Sequence, residues 1–333
     1  MIDTSLRFVC PRCKGPLMSD PHGFACAACP AGYPVVCGIP DFRLHPDPYI
    51  GIEDDRRKGE HLSREGATRT FADLVRYYYA ITPDDPPDLA ERWTAHALAE
   101  VSLADGLLRA TRIVPPANDP PGPLLDLGCS TSGLLVAAAG SYRPLVGVDV
   151  AFRWLVVGQA RLREAGVPAT LVCANAEHLP FDDEQFQVVT ATDLVEHARD
   201  TRAVLQEAYR VSTTGGVTLC TSNNRFWLGL EPNVRLWGVG LLPRRWQARW
   251  VALRRGDLHP YRVAAPSARE LRTAFRDARY RAVVVEPAHL LAPHVRSPLL
   301  HGALAVYNAL RTIQPLRALL TCIGPRLQAL GRR

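Results

Sequence analysis

The stretch Leu124-Leu125-Asp126-Leu127-Gly128-Cys129-Ser130-Thr131-Ser132-Gly133 decides how the chain reads. A short run of aliphatic residues fits a buried strand, two glycines bracket a turn of small residues, and a helix is expected from about Ser132. A strand running through such a turn into a helix is the opening unit of an open α/β sheet. In that unit a ligand lies beyond the C-terminal strand ends and the turn lets it approach the backbone.

Downstream, short apolar runs alternate with amphipathic segments: Leu145 to Val150, a helix over 152–165, and Ala169 to Cys173. Phe186 to Thr192, a helix over 201–211 and Gly215 to Ser222 follow. This alternation predicts parallel βαβ units and an α/β fold with a Rossmann-like, doubly wound, mostly parallel sheet. Upstream, helical patterns over 71–80 and 89–108 are divided by a proline-rich turn at 82–87, and a second proline-rich linker precedes the core. The expected organisation is a small module at 1–45, a helical lid region at 46–120, and a main domain at 121–333 with a cap insertion at about 224–262. A further helical segment is read over 298–320, followed by a short end, RLQALGRR.

Two ligand readings compete at the turn. As a dinucleotide fingerprint it lacks the middle glycine that admits a pyrophosphate. Alternatively, Asp126, two residues before the first glycine, is placed to receive an ammonium group. Asp149 closes the second strand about twenty residues on, where a carboxylate takes the ribose hydroxyls of an adenosine; it suits either ligand. The segment that separates them follows the third strand: Asn175-Ala176-Glu177-His178-Leu179-Pro180-Phe181-Asp182-Asp183, then Gln185-Phe186-Gln187.

From Leu124 to Ser222 the chain resembles the class I S-adenosylmethionine-dependent methyltransferases, particularly the group with a (D/N)AExLPFxDxxFD connection. The resemblance implies that Asp126 and Gly128, with Ser130 and Ser132 of the turn, hold the methionine end of S-adenosylmethionine. It further implies that Asp149 and Val150 bind the ribose, that Asn175, Ala176 and Glu177 lie at the adenine, and that Asp193 lines the cofactor. Ser130 and Ser132 stand where the family has glycine, and Asn175 where it more often has aspartate. His197, in Asp193-Leu194-Val195-Glu196-His197, is the side-chain type for a base at neutral pH, and with Asp193 it forms the candidate catalytic pair. Tyr77 to Tyr79 are candidates to fold over the cofactor, and His259 and Tyr261 to recognise an acceptor.

Cys10-Pro-Arg-Cys13 and Cys26-Ala-Ala-Cys29 lie twelve residues apart. Two such knuckles offer four thiolates to Zn2+, and a module of this size needs the metal to fold; a zinc ribbon with these four cysteines as ligands is expected. Cys37 falls outside the spacing.

The N-terminal residues do not form a signal peptide and no window has the roughly 18 uninterrupted apolar residues of a membrane span, so a cytoplasmic protein is expected. The net charge of +6 suits an anionic partner without requiring one. Arginines interleaved with Trp227, Trp237, Trp246 and Trp250 in the insertion fit a pocket cap first, a peripheral membrane contact second and RNA third. The expected activity is methyl transfer to a small-molecule acceptor. The alternatives are RNA base methylation and a non-catalytic module that keeps cofactor binding.

Overall fold

The computed structural model describes residues 3–82, 87–111, 113, 122–256, 261–291 and 297–333. It opens with an antiparallel sheet of β1 (Leu17–Asp20), β2 (Gly23–Cys26), β3 (Gly32–Val36) and β4 (Ile39–Pro40). Three helices follow: α1 (Ile52–Glu65), α2 (Phe71–Ala80) and α3 (Pro87–Thr111). The core then alternates β5 (Leu124–Leu127), α4 (Gly133–Ala138), β6 (Leu145–Asp149), α5 (Phe152–Ala165), β7 (Thr170–Cys173), β8 (Phe186–Thr192), α6 (Thr201–Val211) and β9 (Ser212–Asn223). After it come α7 (Arg244–Arg255), α8 (Ala268–Asp277), β10 (Arg281–Pro287), α9 (Pro298–Leu310), α10 (Gln314–Ile323) and β11 (Arg326–Arg332).

The large sheet has the order β10-β11-β9-β8-β5-β6-β7. The pairs β9–β8, β8–β5, β5–β6 and β6–β7 are parallel, and β11 runs antiparallel between β9 and β10. This is the expected doubly wound, mostly parallel sheet, and its order reverses beside β5, where a ligand crevice forms. The helices over 152–165 and 201–211 fall where their patterns place them; Asp200 caps α6 through the amides of Arg202 and Ala203. The C-terminal reading needs correction. The single expected helix is broken near Pro315 into α9 and α10, because proline cannot donate its amide in a helix interior. The short end is β11, an inner strand in register with β9 from Arg326 opposite Asn223 to Arg332 opposite Val217.

The cysteine-rich module is docked on the sheet and not tethered beside it. Phe8 stacks on Phe181 with ring centroids 5.5 Å apart, and Phe24, Tyr33 and Phe42 join the same core as Phe186. The Val9 amide donates to the Pro180 carbonyl at 2.9 Å and the Asp182 amide to the Arg7 carbonyl at 3.0 Å. At the other edge the Phe42 amide donates to the Cys173 carbonyl at the end of β7, at 2.7 Å.

Candidate functional site

The turn after β5 carries three positive φ angles, at Gly128 (73°), Ser130 (45°) and Ser132 (66°). Glycine adopts this region freely, whereas it costs serine on the order of 1–2 kcal/mol, so the two serines are strained where the pattern lacks its glycines. Four hydrogen bonds hold the turn. The Gly128 and Cys129 amides donate to the Val148 carbonyl (2.8 and 3.0 Å), Ser130 to the Asp149 carboxylate (2.9 Å) and Ser132 to the Cys129 carbonyl (2.6 Å). Room for the Ser132 side chain comes from α5: a Cβ on Gly158 would fall 2.5 Å from the Ser132 hydroxyl oxygen. That hydroxyl is buried and has no hydrogen-bond partner among the described residues.

Three carboxylates converge on this turn. Asp126 is buried and accepts from the Thr190 hydroxyl at 2.7 Å; burial, reinforced by the charges of Glu100 and Asp149, pushes its pKa up to about 8. Burial likewise pushes Asp149 up to about 6, against the Ala151 and Ser130 amides that hydrogen-bond its charged form. Glu100 of α3 accepts from the Thr131 hydroxyl and pairs with Arg161. Carboxylates crowded in low dielectric resist ionisation until a cation joins them. The unpartnered hydroxyl, the positive-φ backbone and this acidic surround fit a ligand with an ammonium group, as the methionine end of S-adenosylmethionine has.

The adenine side departs from expectation. Both ends of the Asn175 carboxamide are taken by the segment leaving the small module: its oxygen accepts from the Leu44 and His45 amides (2.9 and 3.0 Å) and its nitrogen donates to the His45 carbonyl (3.2 Å). With both carbonyl lone pairs used, the expected contact between this oxygen and the adenine amine has no acceptor capacity left. Glu177 accepts from the Arg199 amide (2.9 Å), and Ala176 is buried in the core beside Leu179 and Phe181. The Val150 carbonyl accepts from Arg43 at 3.1 Å.

Arg43 belongs to a buried network that the sequence reading missed. It pairs with Asp41 and Asp55, each at 2.6 Å, and Asp55 accepts from the Phe152 amide at 2.8 Å and from Arg153 at 2.9 Å. The exit of the small module, α1 and the start of α5 are thereby locked together beside the ribose position. Tyr78 belongs to this packing, 4.1 Å from the Trp154 ring, and Tyr77 bonds His61 at 2.8 Å; neither folds over the turn.

At the C-terminal end of β8, Asp193 (φ 53°) forms an ion pair with Arg326 of β11. Three residues on, Glu196 is fully buried. Its Oε1 accepts from the Asn223 backbone and side-chain nitrogens (3.1 and 3.2 Å), and its Oε2 has no hydrogen-bond partner among the described residues. The nearby Ser222 hydroxyl is turned to the Asn223 carbonyl at 3.1 Å. Burial and the Asp193 charge push the Glu196 pKa up to about 7. His197 is exposed but closely flanked by protein, which holds its pKa below the ordinary histidine value against the pull of Asp193. The residue that sequence reasoning overlooked is therefore Glu196: its place in the Glu-His pair was visible, its orphaned oxygen was not.

Asn223 also lines a pocket with Asn224, Arg225, Trp227, Glu231, Gln247, Tyr261 and Pro325, between the strand ends and the 224–262 insertion. Burial and the Glu231 and Glu196 carboxylates push up the Tyr261 pKa. His259 lies outside the described residues. A second cavity, beside Gly38, Gln159 and Thr170, opens at the start of β7, the opposite edge from the strand ends.

The four expected cysteines come together. Cys10 and Cys29 sulfurs are 3.7 Å apart, Cys13 and Cys26 3.5 Å, and Cys13 and Cys29 3.6 Å. Zinc–sulfur bonds of about 2.3 Å in a tetrahedron put sulfurs roughly 3.7 Å apart, so the set fits that ion. The Tyr33 hydroxyl lies 3.2 Å from the Cys10 sulfur.

Residues 125–220 match the family described as Methyltransferase domain. Among relatives, a ubiquinone/menaquinone biosynthesis C-methyltransferase, UbiE, of Cupriavidus metallidurans is 30% identical over 173 residues, 50% of this chain and 69% of that protein. The corresponding protein of Cupriavidus pinatubonensis is 32% identical over 46% of this chain and 63% of its own length. A demethylmenaquinone methyltransferase of Anoxybacillus flavithermus is 34% identical over 30% of this chain and 44% of its length. The chain spans less than two thirds of the length of most of these relatives, 63% of the Cupriavidus pinatubonensis protein and 44% of the Anoxybacillus flavithermus one. Haemonchus contortus phosphoethanolamine N-methyltransferase 2 superposes with a TM-score of 0.48 at 17% identity, covering 72% of this chain and 57% of that one. The sheet order, the turn and the methyltransferase family match over residues 125–220 define an α/β protein with an adenosyl-cofactor crevice. The chain belongs to the class I S-adenosylmethionine-dependent methyltransferases.

Proposed function

We propose that this protein transfers a methyl group from S-adenosylmethionine to a small-molecule acceptor held between the strand ends and the 224–262 cap. The observation that carries the proposal is the convergence of buried Asp126, Asp149 and Glu100 on a positive-φ turn, one strand away from the orphaned Glu196 oxygen. When bound, S-adenosylmethionine supplies an electrophilic methyl group.

The chain's own residues do the rest. Asp126, Gly128, Ser130 and Ser132 hold the amino-acid end, and Asp149 with Val150 orients the ribose. Ala176 supports the adenine edge, while Asn175 anchors the small module beside it. An acceptor that gains a methyl group on carbon, nitrogen or oxygen gives up a proton, and Glu196 receives it. Its pKa near 7 balances being charged against holding the proton. Burial raises the Glu196 pKa, Asp193, pinned by Arg326, adds to that by repulsion and positions the strand end, and His197 stands at the exposed rim. Cys10, Cys13, Cys26 and Cys29 bind Zn2+, which holds the small module on the sheet. The relatives' names make a quinone-type ring the first acceptor class to test. Calorimetric titration of the zinc-loaded protein with S-adenosylhomocysteine tests the cofactor half, and no binding would sink the reading. Extract incubated with methyl-labelled cofactor and read by mass spectrometry names the acceptor.

A further inference from the structure

Two segments beside the acceptor pocket are built unlike the rest of the surface. Residues 233–256 contain six arginines and no aspartate or glutamate, in a chain whose net charge is +6 overall. Within them Trp237, Trp246 and Leu253 are exposed, Leu253 at 77%. Arg249 lies over the Trp246 ring and Arg254 over the Trp250 ring, each 5.5 Å from the centroid. Arg245, Arg249 and Arg254 make no ion pair with any described residue, whereas Arg244 is tied to Glu270.

The second segment is the α9–α10 pair. The thirteen residues of α9 include no Asp, Glu, Lys or Arg, and neither helix has a buried residue. Leu299 is 87% exposed, Val306 58% and Leu319 52%. α9 rests on its own protein through half-buried Leu304, Tyr307, Asn308 and Leu310, and the apolar face it turns outward is a face for something else. Both segments border the acceptor pocket. Gln247 of α7 lines it, and so do Asn224 and Pro325; the Asn224 side chain donates to the Thr321 and Cys322 carbonyls at the end of α10 (3.3 and 3.1 Å).

We propose that α7 and the α9–α10 pair form a docking surface for an anionic phospholipid bilayer. Charge and apolarity together select this occupant. RNA would use the arginines and gain nothing from Leu299, Val306 and Leu319. A second copy would bring one cationic cap against another. An anionic bilayer takes the arginines and tryptophans at its headgroups and the aliphatic faces below them. At thirteen residues α9 is about 20 Å long, short of a crossing, and no helix among the described residues is long and apolar enough to span a membrane. A lipophilic acceptor would then enter the pocket from the bilayer, a corollary that rests on the proposed function; the docking surface does not.

The test is flotation of the zinc-loaded full chain with vesicles of phosphatidylcholine alone or with about 30% phosphatidylglycerol, an anionic fraction that sets the surface potential. The protein should float with the anionic vesicles and at least about tenfold less with neutral ones or in high salt. The double variant Leu299→Glu, Leu319→Glu should lose at least about tenfold in vesicle binding, and Arg245→Gln, Arg249→Gln and Arg254→Gln about fivefold each. All should keep wild-type melting and S-adenosylhomocysteine affinity, since these side chains are exposed. Three results would overturn the proposal. One is no flotation on either vesicle at low salt. Another is a dimer in light scattering that Leu299→Glu converts to monomer without vesicle binding. The third is RNA retention lost in the arginine variants and untouched by Leu→Glu, again without vesicle binding. None of these readouts depends on turnover, so failure here leaves the methyltransferase reading standing.

Discussion

The two halves of the site are finished to different degrees. Around β5 to β7 the chain satisfies its own polar groups save the Ser132 hydroxyl: Asp149 caps the turn, Asn175 is committed to the small module, and Asp55 serves Arg43, Arg153 and the Phe152 amide. Around β8, β9 and the cap it leaves Glu196 Oε2 unpartnered and large apolar side chains in water. A half that receives the same ligand in every turnover can be prearranged. A half that must admit an acceptor, release a product and handle a proton keeps capacity in reserve.

The comparison breaks most readily at the cysteines. Chelating the metal, or Cys13→Ser, should cost several kcal/mol of stability and abolish S-adenosylhomocysteine binding, because the module shares its core with the sheet and its exit segment fastens Asn175 and Arg43. Denaturation followed by calorimetry checks this; intact cofactor affinity after chelation would show that the module is independent.

Next in size is Glu196→Gln. It should lower kcat about 100-fold or more while leaving cofactor affinity within a few fold, and remove the limb of the kcat–pH profile near 7. An equal effect on both halves would mean that Glu196 only holds Asn223 in place.

A smaller effect is expected from pH. Asp126 at about 8 and Asp149 at about 6 are both raised above their unfolded values. Their contribution to stability is complete below about pH 4, falls as pH rises above it, and is lost by about pH 6 for Asp149 and about pH 8 for Asp126. S-adenosylhomocysteine carries an ammonium group, which favours ionised carboxylates, so its affinity should rise by up to about tenfold per pH unit from pH 6 to 8 as Asp126 gives up its proton. Urea denaturation and titration across that range should therefore trend in opposite directions.

The smallest is Ser132→Gly, which relieves a positive φ of 66° and removes a buried unpaired hydroxyl. It should raise the stability of the ligand-free protein by about 1 kcal/mol. A simultaneous fall in cofactor affinity would assign the hydroxyl to the ligand.

Much of the first half was legible because its contacts are local. The turn, the strand ending at Asp149 and the helix over 152–165 follow from spacing within a few dozen residues. What the residues could not disclose is long-range. Asn175 bonds a segment about 130 residues earlier, and the orphaned Glu196 oxygen depends on how β9 packs beside it. RLQALGR looked like a tail because its partner, β9, lies about a hundred residues upstream and alternation over seven residues is a weak signal. Pro315 was visible, but the helical pattern on both sides of it concealed the break.

The position of β11 bears on how the protein is made. Synthesis runs from the N-terminus, so β9 leaves the ribosome with an open hydrogen-bonding edge, and β10 follows with no neighbour to join. Until residues 326–332 emerge, one flank of the sheet is a sticky template in a crowded cell, and Asp193 lacks the arginine that pins it. The nascent chain thus carries a finished cofactor side and an unfinished flank, the stage at which a chaperone would have most to protect.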